Sequence, residues 1–214
     1  MRPFLSAAGI LVDEDQERLF QQYIELLLDW NKRTNLISRK DESHIVEHHL
    51  FESLACLLSV KFLPGQRIVD VGSGAGFPAI PLAIMCPENQ FLLIESKRMR
   101  MLFLKEVIFQ LNLNNAEVIG ERVEHIASME DYQEKFDIAI SRAVASLVVV
   151  YQWVKNLIKP GGYYLAWKGG DVRVEIEQLI RIERQLSVEI LPMNAALIPP
   201  ESNKLFVQVN KQAL

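Results

Sequence analysis

Two hydrophobic rhythms divide the chain. Between residues 13 and 60 apolar side chains recur at helical spacing: Leu19, Phe20, Tyr23, Ile24, Leu26, Leu27 and Trp30 fall on one face of an amphipathic helix. Asp13 stands where an N-cap belongs, and Gln16, three residues on, completes a capping box. A second helix is expected from about His44 to Val60, after the polar, basic stretch Asn31 to Glu42, and Pro64-Gly65 then breaks the chain. From Gln66 onward, short apolar runs alternate with amphipathic stretches. The runs Arg67–Val71, Gln90–Glu95, Ala116–Ile119, Phe136–Ser141, Tyr163–Trp167, Val188–Met193 and Leu205–Val209 read as strands. Stretches 79–86, 97–112, 122–128, 146–158 and 171–184 read as the helices that fill the first five gaps. That alternation predicts βαβ units and a parallel sheet. Only Asn194 to Lys204 separates the last two strands, and Pro199-Pro200 leaves it too broken for a crossover helix, so an antiparallel hairpin is expected there. The expected architecture is a doubly wound α/β unit over 65–214, with a mostly parallel seven-stranded sheet ending in that hairpin. A helical extension, 1–64, packs on it, one structural unit overall.

Composition narrows the classes. Of 214 residues, half are hydrophobic and 23% charged, which is ordinary globular usage with enough apolar content for a sizeable core. The formal net charge of −4 excludes a protein that binds nucleic acid by bulk charge, so any such contact rests on a local patch. One patch is Lys32, Arg33, Arg39 and Lys40, followed by His44, His48 and His49. His44 and His48 have i, i+4 spacing, but no acid–cysteine set completes a metal site, and none is expected. A face that contacts phosphates and a solvated helix start both fit this stretch. A second basic cluster is Lys97, Arg98, Arg100 and Lys105. Two cysteines, Cys56 and Cys86, make neither a disulfide framework nor a zinc site. Both sit among apolar residues in stretches read as helical, so they are expected buried and reduced, in a reducing compartment. No apolar run is long enough to span a bilayer, and Pro3 and Gly9 interrupt the amino end too soon for a signal peptide. A cytoplasmic protein is expected, with nothing in the pattern that demands a dimer.

The most informative segment is Ile68-Val69-Asp70-Val71-Gly72-Ser73-Gly74-Ala75-Gly76-Phe77-Pro78. An apolar strand enters a glycine-rich turn that opens a helix, where glycine permits positive φ and lets a ligand approach the backbone. In an open α/β sheet, ligands bind beyond the carboxyl ends of the strands. The spacing is G-x-G-x-G; the dinucleotide fingerprint would place glycine where Phe77 stands. Asp70, two residues before Gly72, suits a cofactor with a cationic amino-acid portion. Glu95 ends the second strand a little over 20 residues past Gly72, where an acid meets ribose hydroxyls. Glu95 alone fits NAD or S-adenosylmethionine (SAM) equally; with Asp70 and the spacing of Gly72, Gly74 and Gly76, SAM is favoured. An NAD-dependent oxidoreductase remains the alternative from another class, against the missing third fingerprint glycine and the terminal hairpin. Arg142 leaves the fourth strand at its carboxyl end, within reach of a cofactor carboxylate or a substrate phosphate.

The sequence resembles the bacterial small-subunit ribosomal RNA guanine-N7 methyltransferases, the glucose-inhibited division protein B family, over nearly its whole length. The signatures are Trp30-Asn31-Lys32 with Asn35-Leu36, His49 with Glu52-Ser53, Asp70 to Pro81, Ser141-Arg142-Ala143 with Ala145-Ser146-Leu147, and Lys168-Gly169. The resemblance implies methyl transfer from SAM to N7 of one guanine in 16S ribosomal RNA, with the RNA or the small ribosomal subunit as partner. It implies cofactor contacts at Gly72, Phe77, Val123, Glu124 and Arg142. RNA-contact candidates are Lys32, Arg33, Arg39, Lys40, His48, His49 and Lys168. Departures from the family pattern are Ala79 for Gly, Glu95 for Asp, His48 for Arg or Lys, Val144 for Phe, and Asn203-Lys204-Leu205 without Arg-His. Because guanine N7 carries a free lone pair, no catalytic base is expected. Phe77 or Trp167 is placed to stack on a splayed-out base, or to serve as core.

Overall fold

A computed structural model describes residues 1–199 and 202–212. Pro200, half of the proline pair expected to break the last connection, lies outside the described residues. A short helix, α1 (Arg2–Ala7), opens the chain with Pro3 in its first turn, where a missing N–H is harmless. The amphipathic pattern becomes α2 (Glu14–Asn31), and the capping box forms as expected: Asp13 Oδ1 accepts from Gln16 N at 2.7 Å, and Gln16 Oε1 from Asp13 N at 3.1 Å.

The expected helix from His44 to Val60 is instead a broken segment. Its pieces are a 3-10 turn at Glu42–His44, a π-helical turn at Val46–Phe51, one α turn (α3, Glu52–Leu54) and a 3-10 turn at Ala55–Leu58. Side chains compete for its carbonyls. The Ser53 hydroxyl donates to His49 O at 2.6 Å, and the Cys56 thiol to Ser53 O at 3.3 Å. Such back-bonding loosens a helix, and π turns collect at functional sites.

Seven strands follow: β1 (Arg67–Val71), β2 (Gln90–Ile94), β3 (Ala116–Ile119), β4 (Phe136–Arg142), β5 (Ile158–Gly169), β6 (Ser187–Pro192) and β7 (Lys204–Asn210). Helices α4 (Ala79–Met85), α5 (Arg98–Gln110), α6 (Val123–Ser128), α7 (Leu147–Val154) and α8 (Arg173–Ile182) alternate with the first six. The sheet order is β3-β2-β1-β4-β5-β7-β6, with the first five strands parallel and β7 antiparallel to both neighbours. The terminal hairpin is present, but it folds back so that β7, not β6, pairs with β5. β5 also begins five residues before the expected Tyr163, its start shifted in register against Phe136.

Strand alternation sorts side chains to two faces. Ile68, Leu93, Ile138, Leu165 and Phe206 meet Leu5, Phe20, Tyr23, Leu27, Leu50, Leu54, Ile80 and Phe103 in one core. Val69, Leu92, Ala139, Tyr164 and Val207 meet Val123, Leu147, Val150, Val154 and Leu179 in the other. The N-terminal helices therefore share a core with α4 and α5 on one face, and α6 to α8 cover the second. Cys56 is buried as expected. Cys86 falls just past the end of α4 and is partly exposed, a departure from its expected burial within a helix. Among the described residues, no helix is long and apolar enough to cross a membrane.

Candidate functional site

The strand order reverses between β1 and β4, and the crevice above their carboxyl ends holds Asp70, the glycine turn and Arg142. The turn is pinned from three sides. Gly72 N and Ser73 N donate to Ile94 O at 2.9 and 3.2 Å. Gly74 N donates to Glu95 Oε2 at 2.9 Å, while Glu95 Oε1 takes Lys97 N at 2.7 Å. From α2, the Tyr23 hydroxyl donates to Ala75 O at 2.6 Å. The three glycines have φ of +71°, +59° and +94°, a region L side chains avoid. A Cβ on Gly76 would stand 2.6 Å from Ile80 Cγ1; one on Gly72 would meet Val144 Cγ2 at 2.8 Å. Phe77-Pro78 is a cis bond leading into α4.

Asp70 is 1% exposed, and neither carboxylate oxygen has a hydrogen-bond partner among the described residues. Burial pushes its acid up to about 8. A buried carboxyl without partners beside a glycine cradle asks for a cation, which is the fit expected of the ammonium group of SAM. Across the crevice, Arg142 Nη2 donates to His49 Nδ1 at 2.7 Å, Nη1 reaches Glu52 Oε2 at 3.3 Å, and the guanidinium lies 5.3 Å from the Phe77 ring centroid. A guanidinium can only donate, so His49 Nδ1 accepts. Burial, and then the Arg142 charge, lower His49 to about 4 and leave it neutral. Its ring stacks on Phe77 at 5.0 Å.

Two cavities meet here. A smaller one, about 240 Å³, runs along Gly72 to Ala75, Phe77 and Arg100, and is walled by Leu36, Ile37, Ser38 and Asp41. A larger cleft, about 500 Å³, is lined by His48, Glu52, Val144, Trp167, Lys168 and Lys204 among others. Asp41, His49, Arg142 and Ala143 line both. The expected cofactor residues Gly72, Gly74, Phe77 and Arg142 thus converge. Asp70, Gly76 and Glu95 sit behind them, and Val123 and Glu124 start α6 beyond β3, outside both linings.

The expected RNA contacts divide. His48, His49 and Lys168 face the cleft. Lys32 and Arg33 are exposed and each lies 3.3 Å from Asp29, while Arg39 and Lys40 are exposed farther along the loop. His44 stacks on His48 at 5.0 Å. Trp167 is 5% exposed; its Nε1 donates to Glu52 O at 2.8 Å and its ring packs edge-on against Phe206, so it serves as core at the cleft floor. Sequence reading missed the wall 36–41. Asn31 builds that wall: its Oδ1 accepts from Leu36 N and Ile37 N at 2.9 and 3.1 Å, and its Nδ2 donates to Glu42. Sequence reading noted Lys204 as a departure from the family pattern but missed its pairing with Glu52, 152 residues away.

A parallel sheet with a terminal antiparallel pair, its glycine turn and partnerless acid at the switch point, defines a SAM-dependent methyltransferase. The same fold occurs in a SAM-dependent methyltransferase from Aquifex aeolicus, with a TM-score of 0.59 and 17% identity over 80% of this chain and 94% of that one. The chain belongs to the GidB family, rRNA small subunit methyltransferase G, whose model matches residues 16–199. A ribosomal RNA small subunit methyltransferase G of Thermoanaerobacter sp. (strain X514) is 38% identical over 89% of this chain and 80% of its own length. A protein of the same name from Carboxydothermus hydrogenoformans is 35% identical over the same shares.

Proposed function

We propose that this enzyme transfers the methyl group of SAM to N7 of a guanine in 16S ribosomal RNA of the small subunit, acting as a monomer in the cytoplasm, where that RNA resides. The observation that carries the cofactor half is the buried, unpartnered Asp70 carboxylate beside the glycine turn. Family membership carries the RNA half, and the guanine-N7 specificity follows the resemblance.

SAM supplies a methyl group made electrophilic by its sulfonium. Asp70 takes the ammonium end and Arg142 the carboxylate. Glu95 accepts from the ribose hydroxyls with the lone pairs its two backbone bonds leave free. Val123 and Glu124 flank the adenine. Gly72, Gly74 and Gly76 let the turn take positive φ at alternate positions, and Phe77 lines the cavity beside it. N7 has no proton to remove, so no side chain acts as a base, and His49, held neutral, fits a wall better than a proton carrier. What the chain contributes is alignment of donor and acceptor in a shielded cleft, an effect that supplies roughly 7–11 kcal/mol in well-oriented reactions. On this reading residues 1–64 and 65–214 are one working unit, because Tyr23 and the wall 36–41 belong to the site.

The test is transfer of labelled methyl from SAM to small subunits isolated from cells lacking this protein, with nuclease mapping of the product. Label in 7-methylguanosine at one position of 16S RNA is expected. Label elsewhere, or none while SAM binding by calorimetry is intact, sinks the substrate assignment.

A further inference from the structure

The larger cleft gathers cations at one edge of the site. Its lining holds three cations, Arg142, Lys168 and Lys204, against two carboxylates, Asp41 and Glu52. Lys168 is matched from outside by Glu175 of α8, at 2.8 Å, and donates to Ala145 O. Asp41 is taken by the Ser38 hydroxyl at 2.6 Å and by His48 Nδ1 at 3.2 Å. Glu52 bridges the other two cations, with Arg142 on Oε2 and Lys204 on Oε1. Arg142 is the more enclosed, its side chain 15% exposed, and is already committed to His49 and to the Phe77 face. Lys204, at the start of β7, has a side chain 34% exposed at the lip, with donors left over after Glu52. On a chain of net charge −4 this grouping of three cations is local, not a general basic surface.

We infer that Lys204, held by Glu52 next to Arg142, is a binding site for one backbone phosphate of the RNA strand whose base enters the cleft; this rests on the reading of the protein as an rRNA methyltransferase. Position favours the strand over the cofactor. Lys204 is absent from the lining of the glycine-side cavity but lines both the larger cleft and an adjoining groove of about 610 Å³ between Gly170 and Leu205. Met193 also lines both, so the groove continues the cleft outward, as a strand leaving a splayed-out nucleotide requires.

The experiment measures binding of the full-length protein to unmethylated small subunits across a salt series, with methyl transfer and SAM calorimetry in parallel. Neutralising a phosphate-contacting lysine lowers the slope of log affinity against log salt by about 1. Lys204→Gln is expected to show that loss and a raised KM for subunits, with kcat and SAM affinity within about twofold of wild type, since counterion release, not alignment, is what it removes. Lys204→Arg keeps the charge and is expected to keep the slope. A wild-type slope in Lys204→Gln overturns the site, as does a parallel loss of SAM affinity and melting temperature, which marks Lys204 as structural. Wild type that binds subunits but transfers no methyl overturns the methyltransferase reading, while the slopes still decide the phosphate site. Failure of wild type to bind subunits overturns both.

Discussion

At the scale of single residues, the partnerless Asp70 governs two pH dependences of opposite use. Burial raises its acid to about 8 in the fold, against a usual carboxylate value near 4 in the unfolded chain. The fold therefore binds this proton more tightly, so the residue's contribution to stability is intact below about pH 4. It is lost as pH rises towards 8 and is level beyond. Asp70→Asn removes the titration. Its melting temperature is expected to match wild type near pH 4 and to exceed it by several degrees at pH 8, while SAM affinity falls; a constant gap across that range would contradict the assignment. On the proposed assignment, the cofactor's ammonium reverses the preference and calls for the charged form. Between pH 6 and 7, SAM binding is expected to release close to one proton, read by calorimetry in buffers of differing ionisation enthalpy, and the Asn variant to release none.

At the scale of elements, the glycine turn separates two kinds of necessity. Gly76 is buried, and its would-be Cβ collides with Ile80 Cγ1 at 2.6 Å inside the core shared by α2, α4 and α5. Gly72 is open to solvent on one side and meets only the exposed Val144 side chain. Gly76→Ala is expected to destabilise by about 2–4 kcal/mol, overpacking added to strain at positive φ. Gly72→Ala is expected to cost only about 1–2 kcal/mol, the strain term, because Val144 can swing aside, yet to abolish detectable SAM binding. Denaturant melts with calorimetry separate the two. This turn was legible in the sequence because its requirement is local: positive φ at alternate positions admits little but glycine. The π turn at Val46–Phe51 was not, since it depends on the Ser53 hydroxyl taking the His49 carbonyl. Nor was the placing of β7 beside β5: hydrophobic alternation marks a strand without naming its neighbour. Glu52 was noted only as a family signature and Lys204 only as a departure from the family pattern; their pairing was not legible, because only the folded sheet brings them together.

At the scale of the whole molecule, the N-terminal helices stand inside the same core as the sheet, with Trp30 edge-on to Phe103 at 5.7 Å and Tyr23 hydrogen-bonded to the glycine turn. Urea unfolding followed by tryptophan fluorescence and by circular dichroism is expected to give one coincident transition. Two separated transitions would show that 1–64 unfolds independently, against a single working unit. The sequence positions of the two cavities also set an order in time. All the residues that line the glycine-side cavity lie between Leu36 and Ala143. The larger cleft is closed by Met193 and Lys204, which are synthesised after all of those. A polypeptide growing from its amino end therefore acquires all the parts of the proposed methyl-donor site before the last parts of the proposed acceptor site. Until β7 is made and inserted between β5 and β6, the place where the methyl group would be spent is unfinished.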